Sequence, residues 1–178
     1  MTMRQLILMR HGIAEDTPPV VFYKGVQRQG GDFDRRLTEE GVRKAKLVVK
    51  ALSKVCDPKP FVIASPLVRA QQTASLFPEF FPGVTWAPET LDSLQPDSYP
   101  AETISDLNRI IATNSSKTVV VIGHQPHISA LCSLLVTSES TLTVVQFGRA
   151  TVALLESPSG LRQGAFQVRY VLRPKMLD

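Results

Sequence analysis

Three short apolar runs punctuate the chain, Leu6 to Met9, Phe61 to Ala64 and Val119 to Ile122, each of strand length and too short for a helix. The unbroken run at Val119 to Ile122 predicts a strand covered on both faces. Elsewhere the apolar period is helical. Val42, Ala45, Val49 and Leu52 predict a helix to about Val55, capped by Thr38 with Glu39 and Glu40 in its first turn and ended by Pro58 and Pro60. Ser65-Pro66 reads as the next helix start, which puts Arg69 about one turn in; Ala70, Ala74 and Phe77 carry its buried face, and Pro78 and Pro82 close it. Pro100 opens a helix with an Ile104, Leu107, Ile111 stripe, and His127 to Val136 forms a mostly apolar one. Val84 to Ala87 reads as a short edge strand, and Thr143 to Phe147, Thr151 to Leu155 and Phe166 to Leu172 as strands joined by short turns.

Helices and strands alternate for most of the chain before strands dominate. This order predicts an α/β fold, a three-layer α/β/α sandwich whose central sheet is mainly parallel with an antiparallel contribution from the carboxy-terminal part. Gly12 to Leu37 contains Pro18, Pro19, Gly25, Gly30 and Gly31 and keeps no sustained period, so it reads as a long loop of the kind that forms lids or stays disordered. With 178 residues, 43% of them hydrophobic, and no dividing linker, residues 1–178 are expected to form a single domain.

Charge and cysteine content narrow the functional classes. The net charge of +4 is spread along the sequence without aromatic interleaving or a nucleic-acid motif, so no nucleic-acid partner is expected. Cys56 and Cys132, far apart and without a second pair, suggest neither a disulfide framework nor a cysteine zinc site. A reducing cytoplasm is the expected location. The four-residue apolar run before Arg10 is too short for a signal-peptide core, and no segment is long enough to cross a bilayer, so no membrane association is expected.

The candidate chemistry stands where the apolar runs stop, at Arg10-His11-Gly12, at Ser65-Pro66-Leu67-Val68-Arg69 and at Gly123-His124. Ligands of open α/β sheets bind outside the carboxyl ends of the strands, so these stops are expected to converge on one crevice. Two arginines supply fixed charged forks for phosphoryl oxygens, and a neutral imidazole supplies a lone pair able to attack phosphorus. His127, three residues after His124, has a spacing that metal pairs use, but Pro126 intervenes and no carboxylate completes a set, so no metal is expected. Gly30-Gly31 lacks the lysine and hydroxyl of a P-loop.

Four stretches in order, Leu8-Met9-Arg10-His11-Gly12, Arg35-Arg36-Leu37-Thr38-Glu39-Glu40-Gly41, Ser65-Pro66-Leu67-Val68-Arg69-Ala70-Gln71-Gln72-Thr73 and Gly123-His124-Gln125-Pro126, resemble the histidine phosphatase superfamily, or phosphoglycerate mutase-like family. The short length, with no large inserted cap, is most similar to SixA-type phosphohistidine phosphatases. The resemblance implies a phosphoglycerate mutase-like sandwich and a metal-independent, cofactor-free phosphatase. In it His11 becomes phosphorylated, Arg10 and Arg69 hold the phosphoryl group, and His124 lines the pocket. Arg35, or Arg36 beside it, is a further candidate phosphate ligand. The implied partner is a phosphorylated histidine phosphotransfer domain, with a small phosphorylated molecule or idle phosphate binding as alternatives. One departure bears on that choice. Where many relatives carry a glutamate that protonates the leaving oxygen, this chain places Ser93, leaving Glu89, Asp92 and Asp97 as candidate donors. An imidazole leaving group, protonated on its far nitrogen, departs without such an acid, which favours phosphohistidine.

Overall fold

The computed structural model describes residues 5–84 and 87–178. Six strands form the central sheet: β1 (Gln5–Arg10), β4 (Phe61–Ala64), β5 (Glu89–Thr90), β6 (Thr118–Gly123), β7 (Val152–Glu156) and β8 (Gln167–Leu172). Their order is β5-β4-β6-β1-β7-β8, with β5, β4, β6 and β1 mutually parallel and β7 and β8 antiparallel to their neighbours. This is the mainly parallel sheet with an antiparallel carboxy-terminal part that the element order predicts.

The apolar runs are continuous because both sheet faces are covered. Leu6, Leu8, Val119 and Val121 point to one face, against Ile104 and Leu107 of α4 (Pro100–Ile111) and Ile128 and Leu131 of α5 (His127–Thr137). Ile7, Met9, Val120 and Ile122 point to the other. There they meet Ala45, Val49 and Leu52 of α1 (Glu39–Leu52), Ala70 and Ala74 of α2 (Val68–Ala74), and Phe77 of α3 (Phe77–Phe80). Each buried aliphatic side chain contributes roughly 1.5–3 kcal/mol, so the central strands are held from two directions.

Strand register then fixes the site. Arg10 pairs with Gly123 and Ala64 with Ile122, so β1, β4 and β6 end at one level. His11 N donates to Gly123 O at 3.1 Å and Ser65 N to Ile122 O at 3.0 Å, carrying the alignment one residue past the strands.

Several sequence expectations are corrected. Gly12 to Leu37 is not structureless: β2 (Val21–Tyr23) and β3 (Val26–Gln29) form a hairpin, and Asp32–Asp34 a 3-10 turn. Lys24 and Gly25 both take positive φ at the hairpin's two-residue turn, the backbone such turns require. Ser65-Pro66 does not start a helix, because Leu67 is extended and α2 begins at Val68; Arg69 is therefore its second residue. Pro78 does not end that helix but sits in the first turn of α3, where its missing N–H costs nothing. α1 closes at Leu52, before Val55. Residues 85 and 86 of the expected Val84 to Ala87 strand lie outside the described residues, and the edge strand is Glu89–Thr90. Thr143 to Phe147 is not a strand. Its carbonyls are taken by side chains, with Ser129 Oγ donating to Val145 O, and Arg10 Nη1 and Gln125 Nε2 to Phe147 O.

Candidate active site

The sequence motifs meet because they hold one another in place. At the end of β1, Gly12 N donates to Thr73 Oγ1 of α2 at 3.1 Å, and Thr38 N donates to Ile13 O at 3.0 Å. Thr38 caps α1 by accepting from Gly41 N at 2.9 Å, as its position predicts. A Cβ on Gly41 would lie 2.0 Å from Ile13 O, so the approach of α1 to the strand end requires glycine there. Gln72 Oε1 accepts from Leu37 N at 2.7 Å, tying α2 to the segment that carries Arg35.

His11, 6% exposed, has a defined tautomer. Its Nδ1–H donates to Gly12 O at 2.7 Å, leaving the lone pair on Nε2, where the Arg69 Nε–H donates at 3.2 Å. The His124 ring lies 5.0 Å away, tilted by 51°. His124 Nε2 is 2.8 Å from Ser65 Oγ. With the hydroxyl donating to Nε2, the proton of His124 stays on Nδ1, a buried atom without a partner among the described residues. Arg69 is 3% exposed, with Nη1 on Asp32 O at 2.6 Å and Nη2 on Asp32 Oδ2 at 2.8 Å. Arg10 donates from Nη1 to Phe147 O at 3.0 Å, while its buried Nε has no partner among the described residues. Arg35 is half-buried and reaches Asp32 Oδ1 at 3.0 Å and Glu15 O at 2.8 Å. Arg36 is exposed.

The structure therefore brings His11, His124 and Arg69 together, with Arg10 and Arg35 close enough for their charges to act on His11. Burial, then the charges of Arg69, Arg10 and Arg35, push the His11 imidazole down to about 3 against the opposing Gly12 hydrogen bond. Burial, then His11 and Arg69, push His124 down to about 2. Both rings are neutral near pH 7, and His11 presents an unprotonated nitrogen inside a cationic cleft. Burial, and after it the neighbouring charges of Arg149 and Arg69, lower Arg10 as well.

Sequence reading missed three parts of this arrangement. Ser65 orients His124 rather than capping a helix, Phe147 O steadies Arg10, and Asp32 bridges Arg69 and Arg35. The Asp32/Arg35 spacing of three was a legible charge pair, but its reach to Arg69 is tertiary. The candidate donors Glu89, Asp92 and Asp97 are exposed, and among the described residues no hydrogen bond joins their carboxylates to His11, His124, Arg10 or Arg69. Beside Arg10 opens a groove of about 940 Å³ walled by Ile13, Pro126 and Phe147, whose charged lining residues, Lys44, Arg149, Arg173 and Lys175 with Arg10, are all cationic.

His127 opens α5, as expected, with Nε2 2.9 Å from Thr103 Oγ1. Among the described residues no three His, Cys, Asp or Glu side chains converge as metal ligands, and no helix is long and apolar enough to cross a membrane. Burial lowers His127 from 6.5 to about 4. The unfolded chain therefore binds protons below pH 6.5 that the folded chain refuses, so stability is complete above that pH and is lost as pH falls toward 4. For His127 the loss is on the order of 3 kcal/mol at full protonation. A thermal-unfolding midpoint that falls steadily below pH 6.5, with a shallower slope in His127→Asn, is the expected result.

Residues 6–94 match the model of the histidine phosphatase superfamily (branch 1). An uncharacterized protein of Picosynechococcus sp. (strain ATCC 27264 / PCC 7002 / PR-6) is 31% identical over 122 residues, covering 68% of this chain and 67% of that protein. The structure of the protein histidine phosphatase SixA complexed with tungstate superposes with a TM-score of 0.77 at 22% identity, over 98% of this chain and 99% of that one. A phosphoserine phosphatase mutant from Entamoeba histolytica in complex with phosphoserine gives a TM-score of 0.68 at 17% identity, over 99% and 100% of the two chains.

Proposed function

The chain belongs to the histidine phosphatase superfamily, and from that premise we propose that it dephosphorylates phosphohistidine in a protein, as a single cytoplasmic domain without metal or cofactor. His11 Nε2 attacks phosphorus in line. The P–N bond of the substrate breaks with its electron pair staying on the substrate imidazole, and a phosphoramidate forms on His11, which water then hydrolyses. Arg10, Arg69 and Arg35 hold the phosphoryl oxygens, and His124 Nδ1–H donates to one of them. The Arg69 Nε–H, which now donates to His11 Nε2, keeps its proton and redirects its hydrogen bond to a phosphoryl oxygen as substrate enters.

The observation that carries the choice of substrate is that, among the described residues, no carboxylate besides Asp32 joins the histidines and arginines of the cleft. Glu89, Asp92 and Asp97 are exposed. Partial burial pushes Asp32 up, but hydrogen bonds from Arg69 and Arg35 outweigh it and hold the carboxyl below its ordinary range, ionised. An alcohol needs the missing proton and an imidazole does not. The cationic groove beside Arg10 suits a protein substrate that presents acidic side chains around its phosphorylated histidine.

A substrate panel tests this reading. A histidine-phosphorylated phosphotransfer domain is expected to exceed phosphoserine and phosphoglycerate in kcat/KM by at least about 100-fold, the usual contribution of an acid catalyst. Faster hydrolysis of either ester would make the protein a small-molecule phosphomonoesterase. Failure to trap a phosphoryl group on His11 during turnover would remove the covalent route, and no turnover at all would leave a binding module.

A further inference from the structure

Among the described residues one carboxylate touches the arginines of the cleft, that of Asp32. Its Oδ2 accepts from Arg69 Nη2 at 2.8 Å and its Oδ1 from Arg35 Nη1 at 3.0 Å, while its backbone carbonyl accepts from Arg69 Nη1 at 2.6 Å. With Nε on His11 Nε2, every nitrogen of Arg69 is engaged before any substrate arrives. The Arg69 side chain is 4% exposed and that of Asp32 is 52% exposed, so the carboxylate sits at the solvent side of a buried cation. Two carboxylate oxygens shared between two guanidinium groups do chemically what two phosphoryl oxygens would do there.

We propose that Asp32 is a place-holding anion, a positioning residue that keeps Arg69 and Arg35 in place in the empty cleft and gives way to the phosphoryl group. The inference rests on reading the cleft as the phosphoryl site. A buried guanidinium without a partner is costly, and Asp32 supplies one when no phosphate is bound. A carboxylate and a phosphoryl dianion repel across the same pair of cations, so each entering anion must displace it. After hydrolysis the returning carboxylate competes with inorganic phosphate, which weakens product binding. The tether is short: Gly31 N donates to Pro18 O at 2.9 Å just before Asp32, and Arg69 also grips the Asp32 backbone, so the side chain moves while the turn stays.

The sign of one binding change decides the matter. Inorganic phosphate is titrated calorimetrically into the protein and into Asp32→Asn, Asp32→Ala and Asp34→Asn, with thermal unfolding followed for each. Asp34 is the control, because its carboxylate accepts from the backbone Gly30 N two residues away from Asp32. If Asp32 competes with phosphate, both Asp32 variants bind it about tenfold more tightly and Asp34→Asn is unchanged. If Asp32 is a fixed support for Arg69, its loss weakens binding, and a weaker or unchanged Kd overturns the inference alone. Absence of phosphate binding in all four proteins overturns both this inference and the reading of the cleft.

Discussion

His11→Ala is expected to fold and to lose turnover by at least about 10⁴-fold, because deleting a covalent nucleophile leaves only positioning and charge to act on the substrate. The ring lies in the cleft, and its recorded hydrogen bonds are to Gly12 O and from Arg69 Nε, so its removal leaves both apolar cores in place. Removing an imidazole whose proton affinity is held down to about 3 also removes one source of acid sensitivity. The variant should therefore unfold near the parental midpoint at neutral pH while forming no phosphoenzyme. Turnover within tenfold of the parent, measured on the phosphohistidine protein, would assign the attack to another group. His124 would be the next candidate.

Arg69→Lys preserves the charge and is still expected to cost about 10²–10³-fold in turnover. Lysine offers one ammonium where arginine reaches His11 Nε2, Asp32 O and Asp32 Oδ2 from three nitrogens of one planar group. The loss should fall mainly on kcat, because the fork is proposed to meet phosphoryl oxygens whose charge spreads in the transition state. A defect confined to KM would show instead that Arg69 serves only to collect the anion. Steady-state kinetics on p-nitrophenyl phosphate and on the phosphohistidine protein separate these outcomes.

Strand runs were legible because burial on both faces writes a continuous apolar signal, and the histidines and arginines were legible because they stand where those runs stop. What sequence left hidden was set by partners distant along the chain. Ser65-Pro66 has the local chemistry of a helix start, yet His124 engages the hydroxyl and Leu67 stays extended. Thr143 to Phe147 has strand-like composition, but its carbonyls face Ser129, Gln125 and Arg10 side chains instead of a neighbouring strand. The hairpin inside Gly12 to Leu37 turns at Lys24-Gly25, which lacks the usual Asn-Gly or Asp-Gly signature. Of two adjacent arginines, periodicity gave no means to choose; the structure turns Arg35 to Asp32 and leaves Arg36 exposed.

The wall formed by residues 141–149 is held by the buried Val145 and Phe147 side chains and by hydrogen bonds at Val144 N on Ser133 Oγ, Val145 O and Phe147 O. Leu142, Val144, Gln146 and Arg149 face solvent between these pins. Substitutions at these four exposed positions leave the buried Val145 and Phe147 in place, and with them the core beneath the sheet. On the proposed reading of the groove, descendants of one ancestral scaffold exchange clients by rewriting a single rim while inheriting their chemistry intact.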